Sequence, residues 1–364
     1  MKAHIFNRFS VITLMALVFG FVAGCEGPMG PAGADGVDGM DGMDGVDGDV
    51  TCLVCHSDGN IQSVNQQFVE SVHSGGEVAV SYAGGRFYCA ECHSHEGFLE
   101  FVATGDVEGD IVSPSAWECA TCHGIHETFE EVDYALRLDD PIAFIFDNAV
   151  VADFGNGNLC ANCHQSRRAE PNTTNPGTDF TITNTHYGPH HGAQSNVLYG
   201  AGMAELTGSA SYPSPGMTSG GETFPHMTIG CTGCHMGDYS SGTGGHTFNP
   251  SINNCTSCHA GATDFDIGST MTDVAAQLDV LRDLLEAQGV IEEGIAEIFE
   301  LDPETGDIVS VLESDGFHPV VGTHTMAQSQ AFFNWVGLLE DRSFGAHNPA
   351  YTRALLTNSI EAID

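Results

Sequence analysis

A mainly α-helical fold with extensive irregular loops, wrapped as one body around bound groups, is predicted by three observations. A Cys-x-x-Cys-His pentapeptide recurs six times in a chain of 364 residues. The 45 glycines and 14 prolines mark a loop-rich chain. Apolar residues at helical spacing are confined to a few segments, most of them near the C-terminus.

Residues 1–24 read as an export leader. Lys2 and Arg8 precede the apolar run Val11 to Phe21, which is shorter than the about 20 residues of a membrane-spanning helix. The stretch Val22-Ala23-Gly24-Cys25 resembles the lipobox of bacterial lipoproteins, which implies acylation of Cys25 as the mature N-terminus. A plain signal peptide with an incidental cysteine is the alternative. Glu26, rather than aspartate, follows the cysteine, which favours an outer-membrane lipoprotein facing the periplasm or the cell surface.

Residues 25–49 form a second segment. Glycine stands at every third position from Gly27 to Gly48, a collagen-like repeat in which only glycine fits a triple-helix axis. The repeat is acidic and contains only Pro28 and Pro31, so a flexible spacer is as good a reading as a triple helix. At about 3 Å per residue such a stalk spans roughly 60–70 Å.

The body, residues 50–364, opens with the first pentapeptide. The copies are Cys52-x-x-Cys55-His56, Cys89-x-x-Cys92-His93, Cys119-x-x-Cys122-His123, Cys160-x-x-Cys163-His164, Cys231-x-x-Cys234-His235 and Cys255-x-x-Cys258-His259. They use twelve of the thirteen cysteines. The pentapeptide is the attachment signature of c-type haem: two thiols a helical turn apart add to the porphyrin vinyls, and the histidine reaches the iron. Six covalent haem c groups are expected, with Cys52, Cys55, Cys89, Cys92, Cys119, Cys122, Cys160, Cys163, Cys231, Cys234, Cys255 and Cys258 as attachment points. Zinc is the competing use of paired cysteines. It takes four ligands and does not demand histidine after every second cysteine. About 52 residues per haem leave the porphyrins themselves to serve as core.

Each iron has a second axial position. A strong ligand there makes a carrier, and an open position makes a possible catalyst. The chain has 18 histidines. With the six motif histidines and His4 set aside, eleven remain for six irons, which points to bis-histidine ligation. His73, His126, His190, His226, His246 and His347 are the expected distal ligands. Ile61, Val64, Phe68, Val69 and Val72 recur at helical spacing, so one helix is expected to deliver His73 at its C-terminal end, just before Gly75-Gly76. His126 lies three residues after His123 and so suits a neighbouring haem. His226 and His246 sit shortly before Cys231 and Cys255 in glycine-rich or proline-bordered loops, and His347 precedes a helix cap. His95, His186, His191, His318 and His324 are reserves.

Between Gln165 and Gly230 the chain is rich in Thr, Asn, Gly, Pro and Ser and reads as loop. The part from 270 to 364 reads as helical: Thr272 to Gln288, Met326 to Leu339, and Pro349 to Ile360 with Asn348-Pro349 as cap and first turn.

The formal charge is −40. Such a field supports solubility, disfavours nucleic acid and small anions, and attracts cationic partners.

The run from Glu340 through His347-Asn348-Pro349 to Tyr351 resembles the start of the C-terminal helix in large multihaem cytochromes c. So do Cys163-His164-Gln-Ser-Arg167 and Thr185-His186-Tyr-Gly-Pro-His190. That group includes nitrite and tetrathionate reductases, hydroxylamine oxidoreductase and non-enzymatic surface cytochromes. The resemblance implies a compact multihaem cytochrome body wrapped around a haem chain. The expected function is electron transfer in extracellular or periplasmic respiration. Other cytochromes or metal oxides are the expected redox partners, with a membrane contact through the lipid anchor and scope for an oligomer or filament. Reduction of a nitrogen or sulfur oxyanion at one open haem is the alternative. The histidine surplus and the lack of any lysine after Lys2 weigh against it.

Overall fold

The computed structural model describes residues 56–57, 59–76, 79–128, 131–301 and 308–364. The leader, Cys25, the glycine-triplet stalk and the first pair of thiols, Cys52 and Cys55, lie outside the described residues. The described residues all fall within one unit, Asp49–Asp364.

Helices dominate, and few strands accompany them. In chain order the first part holds α1 (Asn60–Val69), α2 (Val72–Gly75), α3 (Phe87–His93) and α4 (His95–Thr104). A single turn, Cys119–Cys122, precedes a small hairpin of β1 (Ile142–Phe144) and β2 (Asp147–Ala152), with Ile142 opposite Ala152. Then come α5 (Asn158–Cys163), β3 (Asp179–Ile182), α6 (Gln194–Tyr199) and α7 (Pro225–His235), with long irregular segments between them. The turn Ile252–Cys255 leads to α8 (Thr270–Ala287). A longer antiparallel hairpin follows, β4 (Ile291–Leu301) with β5 (Ile308–Pro319). The chain ends with β6 (Gly322–Thr325), α9 (Met326–Asp341) and α10 (Pro349–Ile363).

Two expectations for the ligand-bearing segments need correction. One continuous helix does not deliver His73: α1 stops at Val69, and His73 belongs to the separate turn α2. The Ser71 hydroxyl donates to the Phe68 carbonyl at 2.7 Å and helps close the break. His226 sits near the start of α7 and not in a loop. Pro225 at the first helical turn suits that start, because its missing N–H would have no partner there.

The apolar core lies in the C-terminal part. Leu281 and Leu285 of α8, Phe332 and Phe333 of α9, and Tyr351, Leu355 and Leu356 of α10 are at most 1% exposed. Each such side chain contributes roughly 1.5–3 kcal/mol on burial. The α9 start is a capping box, in which the Thr325 side chain accepts from Gln328 N and Gln328 reaches back. Asn348 Oδ1 accepts from Tyr351 N at 3.1 Å, the cap read from Asn348-Pro349.

β3 and β6 bind the middle of the chain to this core, with Phe180 opposite His324. A smaller cluster, including Phe144, Phe154, Ala161 and Leu198, packs under α5. Around the first pentapeptides the balance differs. Val69, Val72, Tyr82, Phe87 and Tyr88 are each between 47% and 70% exposed.

Candidate haem-ligand site

Among the described residues, four pentapeptides fold alike. Residues three apart share a helix face, so the two cysteines of a copy on a helical turn lie side by side. Cys89 and Cys92 lie in α3, Cys160 and Cys163 in α5, Cys231 and Cys234 in α7, and Cys119 and Cys122 on their own turn. The histidine N–H then donates to the first cysteine carbonyl at 3.0 Å for His123, 2.9 Å for His164 and 2.8 Å for His259. In α7 a kink at Gly230 (φ 66°) separates His226 from the Cys231 turn, and a Cβ at that residue would stand 2.7 Å from the Phe154 carbonyl. Only glycine suits both constraints.

The ten described motif cysteines are free thiols. Cys92 interacts with Cys163, and Cys160 with Cys231. Burial pushes the Cys122 thiol up to about 12, with Cys160 and Cys119 nearby adding to the effect.

The histidines come together in pairs. His56 faces His126 with ring centroids 5.9 Å apart and planes 6° from parallel. His93 faces His190 at 5.9 Å, and His164 faces His73 at 6.1 Å. The pairs His123–His246, His235–His347 and His259–His226 each stand at 6.3 Å. Every motif histidine thus meets one of the six histidines singled out as distal ligands, and each of those six is used once.

The spacing suits an iron between the rings. An imidazole nitrogen binds a first-row metal at about 2 Å and lies about 1 Å from its ring centroid, so two ligands on one axis place centroids about 6 Å apart. His190 Nε2 is buried and has no hydrogen-bond partner, as a nitrogen reserved for a metal would be. Two of the distal candidates hold left-handed backbone, His126 at φ 59° and His190 at φ 77°. That conformation is strained for a non-glycine residue and clusters at functional sites.

Burial keeps most of these rings neutral, the form that binds metal. It lowers His73 and His190 to about 4, with His164 adding to the effect at His73 and Arg167 at His190. Burial likewise lowers His93, His164, His226, His235 and His246. At His347 burial works downward too, but the Asp341 charge and hydrogen bond outweigh it and raise the ring's pKa.

The other ring nitrogen is often fixed. Nδ1 of His123, His235 and His226 faces the carbonyl oxygens of Tyr134, Phe248 and Ala346 at 2.7, 2.8 and 3.0 Å. His164 Nδ1 faces Gln194 Oε1 at 3.2 Å. Such partners set the tautomer and ring orientation.

Three of the reserve histidines are engaged elsewhere. His95 pairs with Thr121 Oγ1 at 2.7 Å, His191 with Glu340 at 3.0 Å and His324 with the Val320 carbonyl at 2.8 Å.

Sequence reasoning missed the residues that tie the pairs to one another. The Phe248 ring lies 5.0 Å from His73 and 6.0 Å from His246, while its carbonyl faces His235. Trp117 stands edge-on to His73 at 5.4 Å. Gln67 of α1 accepts from His246 N at 3.1 Å. The aromatic character of Phe248 and Trp117, each near a glycine- or cysteine-rich stretch, was the available signal. Met203 and Met227 lie in the two apolar clusters.

No family model matches this chain, and no curated protein matches it. A solved crystal structure, that of the outer cell wall cytochrome OcwA, is similar at 15% sequence identity and a TM-score of 0.47, over 83% of this chain and 50% of that one. This chain spans about half the length of that structure.

Proposed function

We propose that this chain is an electron carrier: a multihaem c-type cytochrome whose six pentapeptides hold six haem c groups, each iron ligated by a pair of histidines. The observation that carries the reading is the one-to-one pairing of His56, His93, His123, His164, His235 and His259 with His126, His190, His246, His73, His347 and His226. Bound in this way, haem iron supplies a one-electron ferric–ferrous couple.

The residues of the chain do the rest. Twelve thiols anchor the porphyrins. The two imidazoles of each pair would ligate one iron, so no pair would leave an iron open to an oxyanion. The exposed Val69, Val72, Phe87 and Tyr88 beside His73 and Cys89 are apolar surface that a porphyrin would cover.

The pairs adjoin in an order that supports a branched path. His126 and His123 share one stretch of chain, Cys122 neighbours Cys160, and Cys163 neighbours Cys92. Cys160 neighbours Cys231, and Cys234 neighbours Cys255. The fourth pentapeptide is therefore the node, with the first, second and sixth at the ends.

Export through residues 1–24, lipidation at Cys25 and a stalk over residues 25–49 complete the proposal. They place the protein at the outer membrane, passing electrons to other cytochromes or to extracellular acceptors such as metal oxides. The test is mass spectrometry and electron paramagnetic resonance of natively matured protein. Six added haems with only low-spin signals support the carrier. A high-spin fraction that responds to nitrite or sulfite supports the oxyanion reductase instead.

A further inference from the structure

His347 stands apart among the candidate ligands whose second nitrogen has a defined partner. His123, His226 and His235 meet neutral backbone carbonyls, and His164 meets a neutral amide. His347 Nδ1 meets a carboxylate, Asp341 Oδ1, at 2.6 Å.

That carboxylate is held for the purpose. Asp341 is the last residue of α9, and its side chain is 1% exposed. The chain turns at Arg342, which takes the left-handed conformation (φ 59°). The turn brings Ser343 back, so that its hydroxyl donates to Asp341 Oδ2. The same hydroxyl accepts from His347 N at 3.3 Å. Both carboxylate oxygens are thus engaged, and the ring of His347 is tied to the helix end through side chain and backbone.

We infer that Asp341 is a positioning residue that lowers the potential of the His235–His347 site. The inference rests on the reading of those two histidines as ligands of one haem iron. Two effects act in the same direction. A hydrogen bond from Nδ1 to a carboxylate raises the donor strength of the ligating nitrogen, which stabilises ferric over ferrous iron. A negative charge buried next to the ligand does the same, because the interior screens it poorly. A neutral carbonyl partner provides the first effect weakly and the second not at all.

The site also sits where a low-potential step matters. The His226 ring donates toward Ala346 O, next to His347, and Phe248 links His235 to His73 and His246. The pair therefore lies between the sixth pentapeptide and the node.

The experiment is potentiometric titration of the full mature protein, wild type against Asp341→Asn, followed by electron paramagnetic resonance. One couple is expected to rise so that its reduced-to-oxidised ratio at fixed potential grows at least tenfold, about 59 mV for one electron. One low-spin signal should change with it, and the others should not. Ser343→Ala provides a second arm: losing a donor to Asp341 strengthens the carboxylate as acceptor and moves the same couple down. Six haems and six unmoved couples in either variant overturn the inference and leave the carrier reading intact. If Asp341→Asn fails to mature, the Ser343→Ala shift or its absence decides. Wild-type protein lacking six bound haems overturns both.

Discussion

The carbonyl of Phe248 faces His235 Nδ1 at 2.8 Å while its ring lies 5.0 Å from that of His73. One residue, itself in left-handed backbone at φ 57°, therefore orients one candidate ligand and packs against another. Phe248→Ala keeps the carbonyl but removes the ring. It should cost about 2 kcal/mol, less than a fully buried phenylalanine because the residue is only half-buried. Low-spin signals of the His73 and His246 sites should shift together. Thermal unfolding and paramagnetic resonance of one preparation check both.

Removal of a single distal candidate has a countable consequence. His126→Ala should convert one iron in six from low-spin to high-spin and leave the haem count unchanged. His95→Ala, which loses a 2.7 Å contact with Thr121 Oγ1, should convert none. Quantified spin states in the two variants distinguish ligand from bystander.

Acid sensitivity should appear at Glu96. Partial burial favours its protonated form, but the Ser115 amide at 2.9 Å, the Ser115 hydroxyl at 2.8 Å and its own backbone amide outweigh this and hold the pKa below the usual range. A carboxyl with a lowered native pKa binds fewer protons folded than unfolded. Its stabilisation is thus present above the unfolded value near 4.5 and is lost as pH falls through the native one. Glu96→Gln should flatten the fall in melting temperature below about pH 4.5. An unchanged slope in differential scanning calorimetry would refute the assignment.

Asn334 of α9 is fully buried and makes three bonds: Oδ1 accepts from Ala204 N at 2.8 Å, and Nδ2 donates to Ala204 O at 2.7 Å and Ser359 Oγ at 2.9 Å. Asn334→Ala leaves the buried Ala204 N–H without a partner and removes one of the two donors to the Ala204 carbonyl, which keeps Leu206 N at 3.0 Å. The expected loss is about 3 kcal/mol, read as a lower denaturation midpoint with the haem spectra unchanged at zero denaturant.

The membrane attachment proposed at Cys25 rests on one thiol. Cys25→Ser should move the protein from the membrane fraction to the soluble fraction without changing its haem content. Retention at the membrane, measured by fractionation and haem staining, would contradict lipidation at that residue.

The start and extent of the three C-terminal helices were legible within a few residues, because a capping box, a Pro first turn and apolar spacing are local signals. The hairpin of β4 and β5 was not read from the sequence, although its Ile- and Val-bearing runs flank Pro303 and Gly306. The missed break after Val69 has a similar cause. A turn of irregular chain at Glu70–Ser71 leaves the apolar spacing nearly undisturbed while redirecting His73.

The pentapeptides were determined by sequence alone, since two thiols and an imidazole within five residues need nothing but one helical turn to converge. A surplus of histidines in a chain with one lysine likewise marked a pool of candidate ligands. Which histidine meets which was settled only by tertiary structure: His56 joins His126, and His235 joins His347, across long stretches of chain. Such pairings depend on how helices, strained turns and buried side chains bring distant segments together. So does the carboxylate behind His347, which a helix end and a left-handed Arg342 place where no spacing rule would have put it.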